Sequence, residues 1–191
     1  MIIPNNNSTT EPSFTLKNRI LRALWGMVWV VFFRYSPRPF HTWRALILKL
    51  FGAKLGLHAH VYPDVSIWAP WLLTVGNNVG IADGVKIYNI AKVEISDYCV
   101  VSQGAYLCTG SHDINSKNFQ LIAKPIVLEK YVWICAEAFV GPGVSVAEGC
   151  VLGARGVLIK PVTQAWGVWI GNPAEFKKLR QPNIKLENKK V

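Results

Sequence analysis

From Val75 almost to the end of the chain, an aliphatic side chain opens one short repeat after another: Val75, Ile81 and Ile87, then Ile95, Val101 and Leu107, then Leu128, Ile134, Val140, Val146, Leu152 and Leu158. Four residues after each stands a small or β-branched residue, from Val79, Val85, Ala91, Cys99, Ala105 and Ser111 to Val132, Ala138, Val144, Cys150, Gly156 and Val162. The dominant step of six fits neither the 3.6 residues of a helical turn nor the alternation of a hairpin sheet; it marks a parallel β-solenoid. Each hexapeptide supplies a strand and a corner, three of them close a triangular coil, and coils stack at about 4.8 Å. The leading aliphatic fills the prism, and the small residue turns inward where a large one has no room. Coils bury apolar surface only against each other, so the ends need covers, which falls to the terminal segments.

The breaks in the rhythm carry the functional expectation. Read backwards, the pattern reaches Val61 and Ile67, so the starts step by eight at 67 to 75 and at 87 to 95, and the start after Leu107 waits until Leu128. These insertions lie one coil apart and therefore stack on one prism edge. That edge carries Trp68 and Trp71, then Asn89, then His112 with a loop over 113–126. Irregular segments on a rigid scaffold are where sites are built, so this ridge is the expected site.

Hydrophobic residues make up 51% of the 191 and charged ones 17%, the composition of a folded chain long enough for one domain with terminal elements. A net charge of +10 points to anionic partners. No nucleic-acid-binding motif is present and the basic residues gather in the terminal segments, so nucleic acid is not an expected partner. Cys99 and Cys150 sit at inward small positions, and without a C-x-x-C or a disulfide-dense pattern the chain suits a reducing cytosol. Residues 1–13 read as a flexible N-terminus and 14–56 as a helical cap. Residues 57–162 read as the solenoid and 163–191 as a C-terminal segment with a short basic helix within 166–180. The apolar run from Ala23 to Phe33 is too short to span a bilayer, which takes about 20 residues. The helix over 14–34 reads as a cover for the first coil or, alternatively, as an interfacial helix in peripheral contact with a membrane. Of the histidines, His41, His58 and His60 precede the coils and only His112 lies within them; a catalytic zinc takes three protein ligands, so no metal is expected.

Ser111-His112-Asp113 with its loop, Val132-Trp133-Ile134, and Gly153-Ala154 resemble the hexapeptide-repeat acyltransferases, whose fold is a left-handed β-helix and whose assembly is a trimer. More narrowly, Arg34-Tyr-Ser-Pro-Arg-Pro-Phe, Phe51-Gly-Ala-Lys, VYPDVSIWAPW, Tyr88-Asn-Ile-Ala and SQGAYLCTGSHD resemble the colanic acid biosynthesis acetyltransferases, close to the maltose and galactoside acetyltransferases, over about Phe14 to Arg180. The resemblance implies an all-β, left-handed parallel β-helix, acetyl-CoA as cosubstrate, a homotrimer with active sites at subunit interfaces, and transfer of acetyl to a sugar hydroxyl in surface polysaccharide synthesis. A small hydroxylated acceptor, such as serine or an antibiotic, and a non-catalytic scaffold are the alternatives.

The chemistry asks for a base. Attack of a hydroxyl on a thioester needs a group to take the hydroxyl proton, and an imidazole, which ionises close to neutral pH, suits the task. His112 is the candidate in the coils, acting directly on the acceptor; neither Cys108 nor Cys135 has a neighbouring histidine in sequence to activate it. Similarity to the galactoside enzymes implies the Ala136 N–H of an adjoining subunit as oxyanion donor. It also makes Trp133 a wall of the pantetheine channel, with packing at the trimer seam as the other reading. Ala154 allows close cofactor approach, and Lys160, Lys177, Lys178 and Arg180 have an electrostatic reason to meet the cofactor's phosphates, with a solvated basic helix as the other reading of the last three. Asn89, Asp83, Trp71 and Asp113 are the candidates for the acceptor, although Asn and Asp at corners also serve as turn formers. Arg155 stands where the family often has a small residue.

Overall fold

The computed structural model describes residues 13–181, so the expected flexible segment, but for Ser13, and the end of the tail lie outside the described residues. The chain winds into a parallel solenoid with three faces. Face one stacks Lys54–Leu55, Leu73–Val75, Val93–Ile95, Ile126–Leu128 and Ser145–Val146. Face two stacks His60–Val61, Gly80–Ile81, Val100–Val101, Trp133–Ile134, Val151–Leu152 and Gly167–Ile170. Face three stacks Ser66–Ile67, Lys86–Tyr88, Tyr106–Cys108, Phe139–Val140 and Val157–Leu158. The registers join the leading aliphatics: Val75, Ile95, Leu128 and Val146 on face one, Ile81, Val101, Ile134 and Leu152 on face two, Ile87, Leu107, Val140 and Leu158 on face three. All are buried, as are Cys99, Ala105, Ala138, Val144 and Cys150.

In the strands, Tyr62 N donates to Ile81 O, Ala82 N to Val101 O, Ser102 N to Ile134 O and Cys135 N to Leu152 O, while corner groups such as Asn78 N and Gly104 N donate back to the Leu57 and Asp83 carbonyls of the coil before. The Val61, Val65 and Ile67 carbonyls of the first coil are left to whatever precedes it, and an unmet buried acceptor is costly. Helix α1 (Leu16–Val28), a π-helical turn (Trp29–Arg34) and helix α2 (His41–Leu50) meet them. Trp25 Nε1 donates to Ile67 O at 2.7 Å, Trp29 Nε1 to Val65 O at 2.8 Å and Arg44 Nε to Val61 O at 2.7 Å. Arg44 is fully buried, its other nitrogens donate to Ser36 Oγ and the Pro37 and Arg38 carbonyls, and one of them lies 3.1 Å from His41 Nδ1. Phe33, Ile47 and Leu48 close the apolar end of the prism. The helical segment is thus a cap, and it ends earlier than expected, since Lys54–Leu55 already pairs with Thr74–Val75.

At the other end the expectation of a basic helix over 166–180 is wrong. Gly167–Ile170 adds a parallel rung beside Val151–Leu152, and Glu175–Leu179 returns antiparallel to it. Val168, Trp169 and Ile170 find a sheet edge ready to accept them, and that pairing overrides the helical look of the lysine-rich stretch. The solenoid accordingly runs past 162. Among the described residues no helix is long and apolar enough to cross a membrane.

Candidate active site

All three insertions leave face three and enter face one, so Trp68, Trp71, Asn89 and His112 do stack on one edge. The ridge is knitted by side chains where the regular ladder lapses. Asn89 is fully buried; its Oδ1 accepts from Ala69 N at 3.0 Å and its Nδ2 donates to Ala69 O at 2.7 Å. One coil on, the buried Thr109 Oγ1 accepts from Ala91 N and donates to Tyr88 O, both at 3.0 Å. Asn89 therefore builds the ridge and does not present its amide to an acceptor.

The long insertion is a β-hairpin, with Gly110–His112 antiparallel to Leu121–Ala123 and His112 opposite Leu121. Its underside, Leu121 and Ala123, packs with Ile90 against Tyr88, Ala91, Trp68 and Phe14. Gly110 lies so close to the coil below that a Cβ there would stand 2.6 Å from Ile90 Cδ1 and 3.0 Å from Tyr88 Cε1. A small cavity of about 200 Å³ opens between Ser111, Ile122, Ala123, Lys124 and Pro142.

His112 projects into solvent from this hairpin with a fixed ring. Its Nδ1 lies 2.7 Å from the Phe119 carbonyl oxygen, and its ring stacks on the Phe119 ring at 4.5 Å and 11°. A carbonyl only accepts, so the tautomer assigned from this contact carries its hydrogen on Nδ1 and leaves the lone pair of the neutral ring on Nε2. That is the arrangement a general base requires. Phe119, which holds the imidazole by both its backbone and its ring, takes a positive φ of 48°. Asp113 begins the hairpin turn, with Oδ1 accepting from Asn115 N and its carbonyl accepting from Ser116 Oγ.

The other predicted residues divide between the ridge and the opposite side. Trp71 is half-buried beside the turn at Gly52, and Lys160 is exposed on the same edge two coils beyond His112. Asp83 is not on the ridge: it sits on the edge between faces two and three, its Oδ2 3.0 Å from the Arg38 guanidinium. Ala136 and Ala154 hold equivalent places on that same edge in successive coils, and neither N–H donates to a group among the described residues. Trp133 stands outward on face two with Nε1 donating to Ser102 Oγ at 2.9 Å. It borders an open cavity of about 1020 Å³ shared with Val151, Val168, Phe176, Lys178 and Arg180. Face two is the side of a triangular prism opposite the ridge, so one chain does not bring His112 to Trp133 and Ala136.

Arg155 takes φ +57° and pairs with Glu137 at 2.6 Å. A small residue suits that place because the left-handed region favours glycine. Of the thiols, Cys99 donates to Glu129 O and burial pushes it up to about 12, and burial likewise raises Cys135; thiols held protonated are poor nucleophiles. Among the described residues no three His, Cys, Asp or Glu side chains converge in a way that would hold a metal ion.

No protein-family model matches the chain. It is 41% identical over 157 residues, 82% of this chain and 86% of the relative, to WcaF of Escherichia coli strain K12, named as a colanic acid biosynthesis acetyltransferase. The chain belongs to the hexapeptide-repeat acetyltransferases. This acetyltransferase is also 25% identical over 145 residues, 74% of the chain and 71% of the relative, to the galactoside O-acetyltransferase of E. coli. Its fold matches that of a hexapeptide-repeat-containing acetyltransferase of Vibrio cholerae complexed with acetyl-coenzyme A, with a TM-score of 0.81 at 21% identity over 90% of this chain and 93% of that one. It matches a galactoside acetyltransferase in complex with coenzyme A, with a TM-score of 0.80 at 22% identity over 89% and 86%.

Proposed function

We propose that this acetyltransferase uses acetyl-CoA to O-acetylate a sugar hydroxyl in surface polysaccharide synthesis, as a homotrimer whose active sites lie between copies. The observation that carries this reading is the fixed imidazole of His112, with Nδ1–H on the Phe119 carbonyl and Nε2 facing out. Nε2 takes the acceptor hydroxyl proton as the oxygen attacks the acetyl carbonyl carbon. The C=O electron pair moves onto oxygen, where the free Ala136 N–H of a neighbouring copy receives it. As the C–S bond breaks, the imidazolium returns its proton to the leaving sulfur, giving coenzyme A and the acetyl ester. The trimer is supported by the placement of His112 and Trp133 on opposite sides of one prism, which a ridge-to-face packing of copies brings together. Trp133, Lys178, Ala154 and Lys160 are the residues for coenzyme A, and Trp71 and Asp113 those nearest the acceptor. The four cysteines are free, which fits the reducing cytosol where acetyl-CoA is made available to such an enzyme.

The test is thiol release from acetyl-CoA against a panel of sugars, serine and hydroxylated antibiotics, with wild type and His112→Ala. Release with a sugar alone supports the reading, release with the small acceptors alone moves it to the alternative, and equal rates for the two proteins remove His112 from the mechanism. A scaffold without catalysis fails to bind coenzyme A in a titration.

A further inference from the structure

The cap that seals the first coil has a second side. Along α1, Leu16, Ile20, Leu24, Met27 and, past the helix proper, Val31 repeat at three to four residues, and all are exposed, Met27 at 60% and Val31 at 61%. On α2, Trp43, Leu46 and Leu50 form the same kind of stripe, 42–76% exposed. Trp43 Nε1 donates to the Phe32 carbonyl at 2.9 Å, which ties the two elements together at the point where Phe32 and Tyr35 are also exposed. Helices that only covered a coil end would turn polar residues outward; these turn apolar ones.

The charges around this face are of one sign. Between Glu11 and Asp64 the chain holds eight Lys and Arg and not one Asp or Glu. Arg44 is buried, Arg22 lies over Trp68, and Arg34 and Arg38 pair with Asp64 and Asp83. Lys17, Arg19, Lys49 and Lys54 are exposed and pair with no carboxylate among the described residues. At 100° per residue, Lys17 and Arg19 flank the α1 stripe on its two sides, and Lys49 borders the α2 stripe.

We infer that the outer face of the α1–α2 cap docks on an anionic lipid bilayer, its apolar stripes entering the headgroup boundary and its unpaired cations resting on the phosphates. An apolar stripe bordered by Lys and Arg, on helices too short to span, is the pattern of an interfacial element. Each cation held near an anionic surface strengthens binding by about fivefold. A like face of a second copy is the poorer occupant, because it would set the same cations against each other.

The experiment is co-sedimentation of the full-length protein with vesicles of phosphatidylcholine alone and of phosphatidylcholine with phosphatidylglycerol, at low and high salt. The expected result is capture by the anionic vesicles, weakened by salt, and reduced at least about tenfold by Val31→Glu or Leu46→Glu and several-fold by Lys17→Gln with Lys49→Gln. Both apolar positions are exposed, and an unchanged thermal melt shows that the variants fold. Absence of capture, capture indifferent to lipid charge, or capture that survives both Glu substitutions overturns the inference. So does a change in the mass of the wild-type assembly on Val31→Glu, which would assign the face to contacts between copies.

Discussion

Two edges of the same prism are built on different terms. Where face two turns into face three, every step is six residues, and the left-handed position is filled in turn by Gly84, Gly104, Glu137 and Arg155. Backbone bonds run from corner to corner, Gly104 N to Asp83 O, Glu137 N to Gln103 O and Arg155 N to Ala136 O, and the side-chain contacts added to them are exposed. Where face three turns into face one, the steps are irregular, and buried side chains take over from the backbone. Asn89 replaces a rung for Ala69, Thr109 one for Ala91, and a hairpin stands on top. A regular corner tolerates many residues because its main chain is self-sufficient. The ridge is specific to its side chains, and it carries His112.

Several substitutions break or sharpen this contrast. The largest effect is expected at the summit of the ridge: His112→Ala should slow acetyl transfer about 10²–10⁴-fold while coenzyme A binding, measured by calorimetry, persists. Next comes the ridge's internal support. Asn89→Ala orphans the buried Ala69 N–H and takes one of two donors from its C=O, which keeps Leu72 N, and should destabilise by about 2 kcal/mol, read from denaturant unfolding. Gln103→Ala, exposed at the regular corner, should stay within about 0.5 kcal/mol; equal losses would erase the distinction between the edges. Phe119→Ala keeps the carbonyl but removes the ring from His112, and a stack worth about 0.5–1.5 kcal/mol translates into a two- to tenfold fall in kcat with KM unchanged.

The cap makes stability depend on pH. Burial, more than any other cause, lowers the His41 pKa, opposed by its contact with the Val61 carbonyl and aided by Arg44. Above the ordinary imidazole value both folded and unfolded chains are neutral at this residue. Below about 6.5 the unfolded chain binds a proton that the folded one resists, so stability falls as pH drops. Thermal melts from pH 7 to pH 5 should show a steeper loss for wild type than for His41→Asn. The smallest effect is expected for Cys135→Ser, which should leave the acetylation rate unchanged, since the proposed mechanism passes through no acyl-enzyme.

Much of this was legible in the chain itself because a solenoid converts spacing directly into position. Counting from Ile67, Ile87 and Leu107 assigns Trp71, Asn89 and His112 to one edge without coordinates. What spacing does not encode is which way a polar side chain turns. An Asn at a corner looks the same whether it meets a ligand or, like Asn89, the backbone below. Asp83 counts to the neighbouring edge, and only its residue type suggests an acceptor ligand. The hairpin's strands are three residues each, too short to stand out from a loop in the sequence, and Phe119, seven residues from His112, carries no signal of its partnership. The tail misled in the other direction: Lys177, Lys178 and Arg180 favour a helix locally, and the waiting edge of Val151–Leu152 decided otherwise.

A stack of equal rungs is, in principle, a template for its own continuation, because an open end offers a row of unpaired backbone groups to any passing strand. Here the leading end presents two indoles and a guanidinium already bonded to those acceptors, and at the trailing end Glu175–Leu179 folds back along the last strand of face two. Among the described residues the first and last rungs are thus already paired with segments that break the period, along which a bare repeat would lengthen into a fibre. How tall the prism grows is dictated by its stoppers, not by its period.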